Sequence, residues 1–144
     1  SGAEYGSSLA AEGSWLAVGA SGLGYIEMWK RDRFGWVYHS LISDPAGHDG
    51  DGFGSSLDLK DDLLIVGSPT FLTDIGEAGC VTVWRRSSMG DWQFEERLLA
   101  QDRVEGDNFG TAVSAILLTG HIPIFVDINI ETLQIKPELI KNGK

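Results

Sequence analysis

Hydrophobic and polar residues alternate in short runs along most of this chain, a pattern typical of half-buried β-strands. The runs Leu63–Val66 and Cys80–Trp84 are bounded by Gly, Asp and Ser, and Val81 and Val83 share one face while Thr82 lies on the other. Two further strands are predicted over Ser55–Leu59 and Phe94–Leu99. Because no helical period of hydrophobic residues precedes residue 115, the pattern predicts a β fold.

The pattern is repeated along the chain. Aligning Tyr5 with Phe53 places YGSSLAAEGSWLAVGAS over FGSSLDLKDDLLIVGSP without a gap, and GYIEMWKR then matches GCVTVWRR. Trp36 matches Trp92, and GDGFG matches the later GDNFG. Four strands in units of 48 and 56 residues are typical of propeller blades. The sequence therefore predicts a mainly β fold of two four-stranded antiparallel propeller-type blades plus the start of a third.

These residues resemble the FG-GAP repeat, which occurs in the β-propeller of integrin alpha chains and in many microbial surface proteins. The resemblance covers about residues 3–115. It implies an extracellular or cell-surface location and a non-catalytic binding or adhesion-type role in recognising a protein or surface ligand. The residues that stand for the motif are Tyr5, Gly6, Gly19, Phe53, Gly54, Gly67, Pro69, Phe109 and Gly110.

The tail, residues 116–144, has a different pattern. A strand is predicted over Pro123–Ile128, and ETLQIKPELIK then predicts the start of a helix with Pro137 in its first turn. The tail resembles a short segment of the DegT-like sugar aminotransferases that use pyridoxal phosphate. This implies an alternative, a fragment of such an enzyme that is inactive as it stands. A natural fusion, a recombined reading frame and an engineered chimera all stay open as origins of the junction.

Charge and composition narrow the classes of partner. The 21 acidic and 11 basic residues give a formal net charge of −10, which argues against nucleic acids and anionic membrane surfaces. No apolar run has the length of a membrane span, no signal peptide is recognised, and the single Cys80 excludes an intrachain disulfide. The three His lack metal-ligand spacing and no nucleophile elbow is present, so we expect neither catalysis nor a cofactor.

Acidic loops are the candidate ligand or metal site. Their carboxylates are Asp44, Asp49, Asp51, Asp102, Glu105 and Asp107. Calcium prefers six to eight oxygen ligands on a tightly curled loop, but the spacing found in integrin-type blades is not matched. Asp and Gly also stabilise turns, which is the favoured interpretation, with calcium as the alternative. With the insert Thr70–Glu77, the loops at Asp49–Asp51 and Glu105–Asp107 are expected to form a ligand-binding face.

Two isolated blades are expected to leave two apolar faces open. The residues assigned to these faces are Leu16, Val18, Ile65, Val66, Val81 and Val83. Ile124, Val126 and Ile128 alternate in the tail, and this strand is expected to pair where the second strand of the third blade belongs. It cannot cover both faces. The sequence therefore predicts self-association, or membership of a larger propeller.

Overall fold

A computed structural model describes residues 4–101, 104–117, 123–129 and 134–135. These residues form strands, and none of the described residues is helical. The strands are β1 (Tyr5–Glu12), β2 (Trp15–Ala20), β3 (Tyr25–Asp32), β4 (Gly35–Ser43), β5 (Ser56–Lys60), β6 (Leu63–Ser68), β7 (Leu72–Thr73), β8 (Gly76–Glu77), β9 (Cys80–Arg86), β10 (Trp92–Leu98), β11 (Val113–Leu117), β12 (Pro123–Asn129) and β13 (Gln134–Ile135).

The strands assemble into consecutive antiparallel sheets. Sheet 1 has the order β1-β2-β3-β4, sheet 2 has the order β5-β6-β9-β10, and sheet 3 has the order β11-β12-β13. The remaining strands, β7 and β8, form a small hairpin within the insert. The mainly β, antiparallel, four-stranded prediction is confirmed, and the strands predicted for the second unit lie within two residues of the observed bounds.

The tail strand joins the third sheet. β12 pairs antiparallel with β11 from Val113↔Asp127 to Leu117↔Pro123, which is the pairing expected for the tail. Gln134–Ile135 lies within ETLQIKPELIK, the segment whose pattern predicts the start of a helix, but in the structure it is a strand paired with β12. The rest of this segment, with Pro137 in the first turn of the predicted helix, lies outside the described residues.

A buried core joins sheets 1 and 2. Because side chains alternate along a strand, β2 contributes Trp15 and Ala17 to this core, and β6 contributes Leu64 and Val66 from the opposite side. Its other buried members are Ile26, Met28, Ile42, Phe53, Leu59 and Trp84. The packing of sheet on sheet removes these apolar surfaces from water, which is the main stabilising contribution.

A second core covers the other face of sheet 2. It contains Leu63, Ile65, Val81, Val83, Ala100 and Phe109, with Val113 of β11 packed against it. The expectation that Ile65, Val66, Val81 and Val83 lie on open faces is therefore wrong, since each is at most 3% exposed. The physical reason is that sheet 2 is covered on both sides, by sheet 1 and by the start of sheet 3. Val18 is also buried, and Leu16 is half-buried.

The aromatic residue of each FG pair packs between its own unit and the preceding sheet. Phe53 belongs to the core shared by sheets 1 and 2, and Phe109 belongs to the next core. Both rings are 2% exposed, whereas Tyr5, the equivalent residue of the first unit, is 52% exposed. Each FG aromatic thus anchors one sheet to the sheet before it.

The glycines of the motif permit a close backbone approach between sheets. A Cβ built on Gly19 would overlap the carbonyl oxygen of Gly54, and a Cβ on Gly67 would overlap that of Gly110. Gly54 and Gly110 themselves have φ of +91° and +96°, in the left-handed region that other residues rarely adopt. The same constraint therefore operates at both junctions.

A serine hydroxyl completes each junction. The Ser8 hydroxyl donates to the Gly54 carbonyl, and the Ser56 hydroxyl donates to the Gly110 carbonyl at 2.8 Å. The residues joined by the first hydrogen bond are 46 positions apart in the chain, and those joined by the second are 54 positions apart. The repeated FGSS and Gly residues therefore hold consecutive sheets in one fixed relation.

We expect Gly67→Ala to lower the free energy of unfolding by about 1–3 kcal/mol, because the added methyl group overpacks the junction with Gly110. Chemical denaturation measures this loss. Ser56→Ala in the same chain removes the serine hydroxyl that the added methyl group meets and should restore only part of the loss, since the Gly110 carbonyl stays in place.

The control is Gln93→Ala at an exposed position of sheet 2, which should change the stability by no more than about 0.5 kcal/mol. A Gly67→Ala protein as stable as this control would contradict the proposed constraint.

Candidate functional site: the loop surface

Three loops lie together at the end of the sheets where the FG pairs are located. They are the first acidic loop (44–52), the insert (70–77) and the second acidic loop (104–108), here together called the loop surface. The Thr70 hydroxyl donates to the Gly50 carbonyl at 2.6 Å, and the Gly106 backbone N–H donates to the Glu77 carbonyl at 2.7 Å. The insert therefore bridges the two acidic loops, and the three segments expected to share one face are adjacent.

The insert is a short anchored hairpin. Phe71 is only 8% exposed, and its backbone carbonyl accepts hydrogen bonds from the N–H groups of Ala78 and Gly79. Beyond this anchor, Leu72 and Ile75 are 56% and 41% exposed. The hairpin thus holds two apolar side chains in solvent on a fixed base.

Asp51 and Asp107 make the same turn in successive units. A carboxylate oxygen of Asp51 accepts from the His48 backbone N–H at 2.6 Å, and one of Asp107 accepts from the Val104 N–H at 3.0 Å. The backbone N–H of Asp51 also donates to the His48 carbonyl, and that of Asp107 donates to the Val104 carbonyl. This geometry agrees with the interpretation that these acids stabilise turns.

Asp44 forms a buried ion pair with Arg97 of β10. The guanidinium donates two hydrogen bonds to the carboxylate, at 2.7 and 2.5 Å, and the Ala46 N–H donates a third at 2.9 Å. The two side chains are 2% and 18% exposed. Because Arg97 belongs to sheet 2, its two charge-assisted hydrogen bonds to Asp44 hold the first acidic loop against that sheet.

The ion pair shifts the pKa values of both partners. Burial acts to raise the pKa of Asp44, but the hydrogen bonds from Arg97 and Ala46 and the charge of Arg97 outweigh it, so this pKa is lowered. The hydrogen bond to Asp44 raises the pKa of Arg97. A lowered carboxyl pKa contributes stability above the unfolded-state value of about 3.9. That contribution is lost as the pH falls through the folded-state pKa.

Cys80 lies beside this ion pair and is fully buried. Burial raises the pKa of its thiol to about 11. The thiol is therefore protonated at neutral pH, which fits a small buried side chain and not a nucleophile.

The other acidic residues proposed as ligand or metal candidates are Asp49, Asp102 and Glu105. Asp49 and Glu105 are exposed, and Asp102 lies outside the described residues. Within the ranges that the structure describes, no group of three or more His, Cys, Asp or Glu side chains is arranged to hold a metal ion. An aminotransferase that uses pyridoxal phosphate needs a Lys to form a Schiff base with it, and the lysines of the tail, Lys136, Lys141 and Lys144, also lie outside the described residues. In the described part of the chain, no helix is long and apolar enough to cross a membrane.

Sequence reasoning missed Arg97. It stands 53 residues from Asp44, and no local spacing connects the two positions. In the sequence, Arg97 stands out only as the one basic residue of the predicted strand Phe94–Leu99. This does not identify Asp44 as its partner.

No protein-family model matches the chain, and the search of curated proteins gave no significant match. The resemblances to FG-GAP repeats and to aminotransferases therefore stay predictions.

Replacing Arg97 by Gln should lower the free energy of unfolding by about 3–5 kcal/mol, because Asp44 is then buried without its counter-ion. Urea denaturation monitored by tryptophan fluorescence measures the change.

The matched control is Arg85→Gln. Arg85 pairs with Asp62 and Glu95, but all three side chains are at least 40% exposed, so the loss should be about 0–1 kcal/mol. Equal losses in the two variants would show that burial does not distinguish these ion pairs.

Proposed function

We propose that this chain is a non-catalytic recognition module of the FG-GAP type, whose loop surface binds a basic segment of a protein or surface ligand. The observation that carries the proposal is the contact of the insert with both acidic loops. In rigid β scaffolds, binding residues are commonly placed on loops at one end.

The charge and polarity of the loop surface favour a basic partner. The three loops contain no Lys or Arg, and Asp49, Glu77 and Glu105 are exposed. Exposed apolar residues lie among these acids, with Leu72 at 56% and Val104 at 62%. A partner that combines Lys or Arg with apolar side chains complements both features.

The loops are also held before any partner binds. Phe71 anchors the insert, the Asp44–Arg97 ion pair fixes the first acidic loop, and Asp107 closes the turn of the second. A binding surface that is already ordered loses less conformational entropy on association.

Binding to short peptides of equal length and apolar content, carrying basic, neutral or acidic side chains, tests this function. We expect the basic peptides to bind best and to bind more weakly as salt is raised. Glu105→Lys should weaken their binding at least about tenfold, as measured by fluorescence anisotropy. Arms with calcium and with EDTA test the calcium alternative in the same assay.

Asp91→Lys is the control, because it makes the same charge change at an exposed turn between β9 and β10. The proposal fails if acidic or neutral peptides bind as well as basic ones, or if the two lysine variants weaken binding equally.

We further propose that the open face of sheet 1 pairs with another sheet of the same kind, in a second copy of the chain or elsewhere in a longer propeller. Its exposed residues include Tyr5, Leu9 and Trp36, at 52%, 64% and 41%. Their equivalents in sheet 2 pack in the core against sheet 1, and these are Phe53, Leu57 and Trp92. The surface that sheet 2 buries against sheet 1 is thus exposed at the equivalent positions of sheet 1.

Light scattering should give a mass above the 15.6 kDa of one chain, since burial of this face favours association. Trp36→Glu should shift the protein towards the monomer, because it places a charge on the contact face. The control Met89→Glu, at a turn residue that is 86% exposed, should leave the mass unchanged. A monomeric parent protein would contradict self-association of this chain.

A further inference from the structure

A cleft lies at the end of the sheets opposite to the loop surface. It has a volume of about 330 Å³ and lies between the β1–β2 turn and the β5–β6 turn. Its lining contains Trp15, the two cations Lys30 and Arg86, and the two acids Glu12 and Asp61. Its position between sheets 1 and 2 gives it walls from both repeat units.

Two cations in this cleft lie against one indole ring. The Lys30 Nζ is 5.3 Å and the Arg86 Cζ is 5.4 Å from the centroid of Trp15. Neither cation forms an ion pair with another residue in the described ranges. The carboxylate of Glu12 in the wall is engaged elsewhere, by Lys60 at 3.5 Å and by the backbone N–H of Asp61. Asp61 also lines the cleft, but among the described residues no ion pair joins its carboxylate to Lys30 or Arg86. The two cations therefore keep their charge available to the cleft.

In the second unit, the equivalent cation is neutralised by two acids. Arg85 is the equivalent of Lys30, and it pairs with Glu95 at 2.7 Å and with Asp62 at 3.3 Å. In the first unit the positions of these two acids are occupied by His39 and Ser14. The first unit thus lacks both neutralising carboxylates, and a second cation, Arg86 of sheet 2, lies near Lys30 on the same indole ring.

Hydrogen-bond donors near the cleft also lack acceptors. Arg86 Nε and Trp92 Nε1 are both buried and have no hydrogen-bond partner among the described residues. The Arg86 guanidinium lies beside both the Trp15 and the Trp92 ring, 5.4 and 5.8 Å from their centroids, and these two rings are in edge contact with each other. Buried N–H groups are normally paired, so this part of the cleft favours an acceptor.

We propose that this cleft binds an oxyanion, a carboxylate, sulfate or phosphate group, between Lys30 and Arg86. Charge-assisted hydrogen bonds from an ammonium and a guanidinium are the usual way in which proteins hold such groups. A water molecule occupies about 30 Å³ in the liquid, so the cleft has room for a body larger than the anionic group alone. The ligand is a free oxyanion or a compact polar molecule, such as an acidic sugar, that carries one.

The test follows the indole N–H signals of ¹⁵N-tryptophan-labelled protein during titration with inorganic phosphate, glucuronate or glucose, with chloride keeping the ionic strength constant. Both anions, or glucuronate alone, should give a saturable shift of the Trp15 and Trp92 signals, and glucose should give none. Binding of both anions indicates recognition of the charged group itself, whereas binding of glucuronate alone indicates a sugar-borne anion.

Lys30→Ala should weaken the affinity about tenfold, since it removes one charge-assisted contact. Ser14→Asp combined with His39→Glu introduces into the first unit the acid pair of the second unit, and it should weaken the affinity for the anion by a similar factor. The indole signals of the tryptophans other than Trp15 and Trp92 should stay unchanged and thereby report that the fold is kept. Arg33→Ala removes an exposed cation outside the cleft and should leave the affinity unchanged.

The proposal is overturned if neither anion gives a saturable shift, if glucose binds as well as glucuronate, or if Arg33→Ala weakens binding as much as Lys30→Ala.

Discussion

The contact of one glycine with the backbone of the next repeat sets the distance between consecutive sheets. Gly19 lies against Gly54, and Gly67 lies against Gly110, with no room for a Cβ at either contact. Once the backbones are this close, a serine hydroxyl reaches across, and the FG aromatic ring fills the adjacent space in the core. The buried cores on both faces of sheet 2 depend on this spacing, because side chains pack efficiently only at a defined separation.

The same stacking creates two chemically different ends. At the FG end, the three loops of the loop surface carry acidic and apolar residues; the Asp44–Arg97 ion pair holds the first acidic loop, and Phe71 anchors the insert. At the opposite end, the short hairpin turns leave a cleft in which Lys30 and Arg86 lie on Trp15. One scaffold therefore presents an acidic loop surface at one end and, at the other, a cleft with two cations that are not ion-paired among the described residues.

Local patterns in the sequence were sufficient for the strands, because alternation and Gly-rich turns are local properties. They predicted the four-stranded sheets and the pairing of the tail strand with β11. The burial of Ile65 and Val83 could not be predicted in this way, since it depends on how the third sheet covers the second. For the same reason Asp44 was assigned to a possible metal site, because its partner Arg97 is close only after two sheets have stacked.

A nuclear Overhauser spectrum of the protein with assigned glycine signals tests most directly whether consecutive sheets approach each other at these glycines. In the structure, the side of Gly54 that would carry a Cβ points to within 3.6 Å of the Gly19 Cα, and that of Gly110 to within 3.3 Å of the Gly67 Cα. Stacking through these glycines should give strong contacts between the α-protons of Gly19 and Gly54 and between those of Gly67 and Gly110. If both cross-peaks are absent while contacts within each sheet are present, the sheets do not stack through these glycines.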